Sequence, residues 1–344
     1  MMSNPDHQQG IARYYGKVLQ GQRDLKTGAC CCARAAPEPR LQRLLDEIDP
    51  EILERFYGCG SPIPPVITGC TVLDLGCGSG RDSYLVSALV GAQGKVIGVD
   101  MTSEQLEVAR RHRHSQARRF GLSQANVEFR LGRFEDLAAC DITDNSVDVV
   151  ISNCAINLSD DKAQVFAEIY RVLKPGGELL FSDVFADRRV PPILNEDTVL
   201  HAECLAGALY REDFRRMMNQ AGWPDFRVLA EHRTSVDNPE LEAKLGLIEF
   251  CSMTVRAFKL ASLEDRCEDY GQVACYLGTI TEQPHQFILD DHHTFVSGKP
   301  MLVCGNTAAM LSQTRLSRHF SISGDRARHF GLFDCAPRQT TACC

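Results

Sequence analysis

The stretch 71–80, TVLDLGCGSG, contains the residues of this chain whose types and spacing best suit ligand binding. A short apolar run, typical of a buried strand, leads into a turn with three glycines. Glycines there let the backbone approach a ligand closely, and the helix that follows begins with free N–H groups. Asp74 precedes the turn, and Asp100 lies twenty residues beyond its last glycine. A carboxylate at Asp100 suits hydrogen bonds to a ribose diol, so the chemistry predicted here is the binding of a nucleoside.

The composition of the turn separates two classes of nucleoside ligand. A dinucleotide fingerprint reads G-x-G-x-x-G, whereas this turn reads G-C-G-S-G and places Gly76 and Gly78 first. Asp74 would repel a diphosphate, and no Lys or Arg in the preceding strand offsets that repulsion. The same carboxylate could instead meet an ammonium group. The turn resembles motif I of the class I S-adenosylmethionine-dependent methyltransferases, which implies S-adenosylmethionine as the cofactor.

The elements that must position these residues alternate between strand and helix. Residues 81–91 carry apolar residues at helical spacing, and VIGVD at 96–100 returns to a strand, which completes a βαβ unit. Further strands are predicted at 126–131, 147–152, 178–185 and 226–232. The predicted fold class is α/β: a doubly wound, mostly parallel, seven-stranded Rossmann-like sheet with a smaller mixed α+β C-terminal domain. Ligands of such sheets bind at the carboxyl ends of the strands.

Composition divides the chain into three expected parts. Residues 1–62 are expected to form N-terminal helices, the first beginning at Asn4 and Pro5, and a cysteine-containing loop. Residues 63–238 are expected to form the methyltransferase domain, and residues 239–344 a C-terminal domain with a cysteine-containing tail. The strands EFCSMTVRAFKL, QVACYLGTI and PMLVC and the short helix GNTAAMLSQTR are assigned to that last domain.

Sixteen cysteines require an explanation. The N-terminus, MMSNPDHQQG, lacks the apolar stretch of a signal peptide, so metal binding or thiol chemistry is favoured over a disulfide framework. The cysteines do not form paired CxxC sets with zinc spacing, and the fold must therefore assemble any thiol site from distant segments. Cys59 follows a predicted helix, Cys154 lies just past the fourth strand, and Cys204 belongs to a long connection at 186–210.

Charge and hydropathy exclude two kinds of partner. A formal net charge of −8 argues against a nucleic-acid backbone, which requires a basic surface. No apolar run approaches the length of a membrane span. We expect a cytoplasmic, monomeric protein that acts on small molecules and binds neither nucleic acid nor membrane.

Six stretches resemble the arsenite S-adenosylmethionine methyltransferases, in the order of that family. They are YYGKVLQGQRDLKTGAC (14–30), FYGCG (56–60), VLDLGCGSGRD (72–82), ISNCAINL (151–158), SDVFADRRVP (182–191) and ECLAGALYREDF (203–214). The resemblance implies that Cys59, Cys154 and Cys204 bind the metalloid substrate, arsenite or methylarsenite. Trivalent arsenic is soft and favours thiolates. Three thiolates leave its lone pair free to attack a sulfonium methyl group, and no general base is required.

Methylation formally raises arsenic to the pentavalent state, so electrons must return it to the trivalent state. A cysteine pair can supply them by closing a disulfide, which thiol exchange later reopens. The resemblance makes Cys30 the N-terminal redox partner, although Cys31 and Cys32 are adjacent alternatives. Thioredoxin or glutathione is the expected thiol reductant. Cys343 and Cys344 could relay metalloid, but a frayed tail is the default for a terminus.

The residues expected to bind the cofactor cluster at the ends of the predicted strands. In this fold the position after the third strand faces an adenine, which favours Phe134 or Glu135. The complete set is Tyr57, Asp74, Gly76, Gly78, Asp100, Met101, Phe134, Glu135 and Asn153.

Three functional hypotheses follow. The leading one is the methylation of thiolate-bound trivalent arsenic to mono- and dimethylated arsenicals, a detoxification. The second is methylation of another small molecule, such as a quinone or sterol, with structural cysteines. The third is a non-catalytic, thiol-rich metalloid sensor or buffer. The intact glycine turn with Asp100 argues against the third, because a sensor has no use for the cofactor.

Overall fold

The computed structural model describes residues 5–19, 21–29 and 38–335. The expected N-cap Asn4 lies outside these ranges, as do the cysteines at 30–32, 343 and 344. The α-helices are α1 (Pro5–Arg13), α2 (Pro39–Asp46), α3 (Pro50–Glu54), α4 (Arg81–Val90), α5 (Ser103–Arg119), α6 (Lys162–Val172), α7 (Thr198–Ala202), α8 (Arg211–Gln220), α9 (Pro239–Leu245) and α10 (Gly305–Ser312). None of the described helices has both the length and the apolarity needed to cross a bilayer.

One large sheet forms the centre of the molecule. Its strands are β1 (Thr71–Leu75), β2 (Lys95–Asp100), β3 (Val127–Leu131), β4 (Val147–Asn153), β5 (Leu173–Ala186), β6 (Leu209–Tyr210), β7 (Arg227–Thr234) and β8 (Phe250–Phe258). Their order is β3-β2-β1-β4-β5-β8-β7, and the short β6 pairs with the end of β5. Pairs from β3 to β5 are parallel, whereas β8 is antiparallel to both β5 and β7. The predicted fold class is confirmed.

Helices cover both faces of this sheet. Leu73 and Leu75 of β1 pack in the same apolar layer as Phe166 of α6 and Phe214 of α8. Val72, which points to the other face, packs in a layer with residues of α4 and α5. Because successive side chains of a strand alternate between faces, both layers depend on the register of β1. The buried strand thereby fixes the position of the glycine turn that follows it.

The strand β8 corrects one expectation from the sequence. Residues 249–260 are assigned above to the C-terminal domain, but β8 pairs with β5 from Glu178 to Ala186. The Asn238–Pro239 pair begins α9: the side chain of Asn238 accepts hydrogen bonds from the first turn, and Pro239 occupies a first-turn position. Assigning 249–260 to the second domain is therefore wrong, and the rest of the domain division stays a prediction.

The described residues after β8, which end at residue 335, form three small antiparallel sheets. Their strands are β9 (Glu268–Asp269), β10 (Gln272–Tyr276), β11 (Gln286–Ile288), β12 (Thr294–Val296), β13 (Pro300–Val303), β14 (Phe320–Ser323) and β15 (Gly331–Leu332). Tyr276, Phe287 and Phe320 pack with α10 in a separate apolar core. A buried ion-pair network joins this part to the large sheet, because Glu178 of β5 contacts both Arg256 of β8 and Arg315.

Candidate active site

An open cavity lies at the carboxyl ends of β1, β2 and β4, and its empty space of about 890 Å³ includes part of the adjoining solvent. All of the residues expected to bind the cofactor line it, namely Tyr57, Asp74, Gly76, Gly78, Asp100, Met101, Phe134, Glu135 and Asn153. Cys154 lines it as well. The cavity therefore lies at the point where the strand order reverses, between β1 and β4, as expected for an open parallel sheet.

The glycine turn forms one wall of this cavity. Gly76 has φ +74°, and a side chain there would collide with the Cβ of Ala155. The amide of Gly78 donates a hydrogen bond to Asp100 Oδ2 at 2.9 Å, and the amide of Thr102 donates to Oδ1 at 2.8 Å. Burial raises the pKa of Asp100. Since a carboxylate accepts about four hydrogen bonds, Asp100 can bind two ligand hydroxyls while still holding the turn.

Asp74 is a buried carboxyl group in the wall of the cavity. Burial, followed by the nearby charge of Asp82, raises its pKa to about 8. The hydroxyl of Ser83, on the first turn of α4, donates a hydrogen bond to Asp74 Oδ2 at 2.5 Å. A buried acid with an acidic neighbour is stabilised by a cation. This environment suits a ligand with an ammonium or sulfonium group.

Two further polar groups favour an extended polar ligand. The hydroxyl of Tyr57 and Oε1 of Gln105 are buried and have no hydrogen-bond partner among the described residues. Both residues line the cavity. Buried polar groups are normally hydrogen-bonded. A cofactor that offers an acceptor to the Tyr57 hydroxyl and a hydroxyl to Gln105 Oε1 would give both groups a hydrogen-bond partner. S-adenosylmethionine carries a carboxylate and ribose hydroxyls.

Three cysteines from distant segments meet beside the cavity. Cys59 and Cys154 form a disulfide, although they are 95 residues apart in the chain. Cys204 Sγ donates a hydrogen bond to the carbonyl oxygen of Cys154 at 3.3 Å. Cys154 and Cys204 both have left-handed backbone, with φ +54° and +64°. Residues other than glycine seldom adopt this conformation, and such residues cluster at functional sites.

Asn153 holds the segment of Cys59 against the end of β4. Its Oδ1 accepts hydrogen bonds from the amides of Cys59 and Gly60, both at 3.1 Å. Its Nδ2 donates to the carbonyl of Gly60 at 2.9 Å and to Asp82 at 2.8 Å. Asn153 thus lines the cavity as expected, and its amide also positions the first cysteine of the cluster.

An acidic group that no sequence pattern singled out lies next to the thiols. Oxygen and sulfur atoms of Asp183, Cys154 and Cys204 lie within 4.8 Å of one another. Burial raises the pKa of Asp183 to about 7, and Lys162, whose own pKa burial lowers, partly offsets that rise. Asp183 lies in the stretch SDVFADRRVP, but its contact with Cys204 depends on how the long connection folds back.

Glu203, the residue before Cys204, anchors the N-terminal segment. Its buried carboxylate accepts hydrogen bonds from the hydroxyl of Tyr14 and the amides of Lys26 and Thr27, each at 2.7 Å. Ala29 is fully buried in the same apolar cluster as the three cysteines. The described chain therefore reaches residue 29 beside the thiols. Cys30 itself lies outside the described residues, and its role stays a prediction.

The sheet, the glycine turn and the acid at the end of β2 define an S-adenosylmethionine-dependent methyltransferase. A family model described as a methyltransferase domain matches residues 68–222. A second, described as the arsenite methyltransferase C-terminal domain, matches residues 269–342.

Full-length relatives agree with both matches. An arsenite methyltransferase of Aquipseudomonas alcaligenes is 52% identical over 326 residues, which cover 95% of this chain and 93% of that protein. An arsenite methyltransferase of Mus musculus is 42% identical over 313 residues, which cover 90% of this chain and 82% of that protein. The crystal structure of an arsenic(III) S-adenosylmethionine methyltransferase from Chlamydomonas reinhardtii has a TM-score of 0.84 and 50% identity, covering 87% of this chain and 100% of that one.

The chain belongs to the arsenite methyltransferase family. The resemblance in six sequence stretches is thus confirmed. Family membership supports the leading functional hypothesis over the quinone or sterol methyltransferase and the metalloid sensor.

Proposed function

We propose that this enzyme transfers methyl groups from S-adenosylmethionine to trivalent arsenic held by the thiolates of Cys59, Cys154 and Cys204. The observation that carries the proposal is the convergence of these three cysteines beside the cavity, with Cys154 in its wall. Arsenite and methylarsenite are the proposed substrates, and mono- and dimethylated arsenicals the products, which makes the reaction a detoxification.

The thiols must be reduced before they can bind arsenic. Thiolates are the ligands that a soft metalloid prefers, so binding releases protons and depends on pH. The disulfide of Cys59 and Cys154 occupies two of the three proposed ligands. A thiol reductant, thioredoxin or glutathione, would open it and return both sulfur atoms to the thiolate state.

The residues of the cavity orient the two reactants. When bound, S-adenosylmethionine supplies an electrophilic methyl group on a positively charged sulfur atom. Asp74 and Asp82 stabilise positive charge at one end of the cavity, and Asp100 positions the ribose. Cys154 faces the same space and presents arsenic from the thiol side. Arsenic bound by three thiolates retains a lone pair and has no proton to lose, so a general base is unnecessary.

The same cysteines could supply the electrons that the reaction consumes. Methylation oxidises arsenic from the trivalent to the pentavalent state. Two of the arsenic-bound thiolates then return the two electrons: their bonds to arsenic break as one disulfide forms, and trivalent methylarsenic stays on the third thiolate. The bond between Cys59 and Cys154 supports this step, because it places two ligand sulfur atoms within bonding distance. Cys30 is the proposed further partner. We place the enzyme in the cytoplasm as a monomer.

The decisive experiment measures S-adenosylhomocysteine formation with and without arsenite. We expect turnover that depends on arsenite and on a thiol reductant. Cys154→Ser should abolish it, while Cys251→Ser, a half-buried cysteine of β8, should leave it unchanged. Turnover with a quinone but not with arsenite, or full activity of Cys154→Ser, would contradict the proposal.

A further inference from the structure

A second group of three cysteines lies outside the site described above. The sulfur atoms of Cys267, Cys304 and Cys335 lie within 4.8 Å of one another. None of these residues lines the cavity or belongs to the cluster of Cys59, Cys154 and Cys204.

Short secondary-structure elements bring these cysteines together. Cys267 precedes β9, and Cys335 follows β15. The strands β9 and β15 pair in antiparallel orientation. The amide of Phe333 donates a hydrogen bond to the carbonyl of Cys267 at 2.8 Å, which extends the pairing of the two strands toward Cys335. Cys304 lies between β13 and α10 and is the N-cap of that helix. The fold therefore assembles the group from three segments of the C-terminal part.

The environment of Cys304 stabilises a thiolate. The Thr307 amide and Nη2 of the buried Arg227 donate hydrogen bonds to its sulfur at 3.4 Å and 3.7 Å, respectively. The Thr307 hydroxyl lies 3.3 Å from the same sulfur, so polar groups surround Cys304 as well as the two other thiols. Arg227 also pairs with Asp225 at 2.7 Å and with Asp290 at 3.3 Å, so these two carboxylates fix its guanidinium beside the sulfur.

The donor set identifies the kind of ion. Three sulfur donors suit a soft centre, and trivalent arsenic is satisfied by three ligands. Zinc is almost always bound by four protein ligands at structural sites, but no histidine or carboxylate among the described residues joins this group. We propose that Cys267, Cys304 and Cys335 form a second thiolate site that binds one trivalent arsenic ion. This site does not depend on the function proposed for the first cluster.

The test is a residue-resolved alkylation experiment on the full-length chain. The background is Cys204→Ser, which removes one proposed ligand of the methylation site, and a phosphine keeps the thiols reduced without competing for arsenic. Iodoacetamide labelling with and without arsenite is followed by peptide mass spectrometry. At arsenite ten times above its dissociation constant, we expect labelling of Cys267 and Cys335 to slow by about tenfold.

Variants separate a shared ion from three independent thiols. Cys335→Ser should remove the protection of Cys267, and Cys304→Ser should remove the protection of both half-buried cysteines. Cys275→Ser, another half-buried cysteine of the same part, should leave protection intact. Circular dichroism and the binding of S-adenosylmethionine show whether each variant folds. If Cys304→Ser does not fold, the loss or survival of Cys267 protection in Cys335→Ser decides whether the thiols share one ion.

Three outcomes would overturn the proposal. The first is equal labelling of Cys267 and Cys335 with and without arsenite. The second is protection of Cys267 that survives in Cys335→Ser. The third is one equivalent of zinc in the purified protein that arsenite does not displace. Because no turnover is measured, each of these results leaves arsenite methylation itself untouched.

Discussion

At the scale of single residues, the thiols near the cavity carry the sharpest expectations. Cys204→Ser should abolish turnover and the binding of arsenite at the cluster of Cys59, Cys154 and Cys204, because a hydroxyl is a poor ligand for a soft metalloid. The affinity for S-adenosylmethionine should stay nearly unchanged, since Cys204 is not among the residues that line the cavity. Arsenite protection of Cys59 and Cys154 from alkylation, and calorimetry of the cofactor, measure the two effects separately. Unchanged arsenite protection of Cys59 and Cys154 in this variant would assign Cys204 to packing.

The raised pKa of Asp74 predicts how the affinity for the cofactor depends on pH. Its pKa is raised to about 8 by burial and by Asp82, so below pH 8 the empty protein holds a proton there. A cationic ligand favours the ionised form, and binding must release that proton. Affinity should therefore rise with pH, by up to about tenfold per unit between pH 6 and pH 8, and level off above.

Two substitutions check this pH dependence by calorimetry. Asp74→Asn should remove it and weaken cofactor binding at pH 8 by about 1.5–3 kcal/mol, as for a lost hydrogen bond to a charged group. Asp82→Asn removes the neighbouring negative charge, so it should lower the pKa of Asp74 and move the rise in affinity to lower pH. A flat wild-type profile would exclude Asp74 as the group that meets the cation.

At the scale of elements, the N-terminal segment and the connection before β6 depend on each other. Glu203 accepts hydrogen bonds from Tyr14, Lys26 and Thr27, so one buried carboxylate holds these three residues beside Cys204. We infer that this contact, rather than local propensity, positions the segment that leads into Cys30.

Glu203→Gln tests this anchoring. A glutamine presents an amide donor where the carboxylate accepts hydrogen bonds, and each buried donor left unpaired costs about 1–3 kcal/mol. We expect faster amide exchange at residues 21–29 and lower turnover of arsenite. Glu212→Gln, on the outer surface of α8, is the control and should change neither. Unaltered exchange in Glu203→Gln would show that other contacts hold the segment.

At the scale of the whole molecule, a buried charge network around Glu178 joins the large sheet to the C-terminal part. Glu178 contacts Arg256 at 2.7 Å and also pairs with Arg315, which donates a hydrogen bond to the carbonyl of Val66 at 3.0 Å. Burial disfavours the charged form of Glu178 and so raises its pKa. The positive charges of Arg315 and Arg256 outweigh this effect, and the pKa of Glu178 is lowered below its ordinary value. The network therefore stabilises the fold where the carboxylate is ionised.

Glu178→Gln should destabilise the protein by about 3–5 kcal/mol, because it leaves two arginines without their buried partner. The sign of the pH effect follows from the lowered pKa: the stabilisation is present above the ordinary glutamate pKa of 4.5 and is lost as the pH falls through the lower folded value. Urea unfolding at several pH values measures both. Glu249→Gln, which breaks an exposed ion pair, is the control. Equal stability of the two variants would contradict this role.

Local patterns in the sequence determined the order of strands and helices and the wall of the cavity. The run before Gly76 is mostly apolar, and it forms a strand, β1, that is buried on both faces. Asp74 precedes the turn and Asp100 follows it, and the positive φ of Gly76 in this turn favours glycine. Adjacent parallel strands end at one edge of a sheet, so residues at strand ends were expected to share a cavity, and all of the named ones line it.

Tertiary structure alone decided what distant segments do together. The disulfide of Cys59 and Cys154, the approach of Asp183 to Cys204 and the group of Cys267, Cys304 and Cys335 each join residues far apart in the chain. The position of β8 inside the large sheet likewise depends on which strands it pairs with. Local periodicity encodes burial and element type, but pairing between remote segments is set by packing over the whole molecule, which no short stretch of sequence specifies.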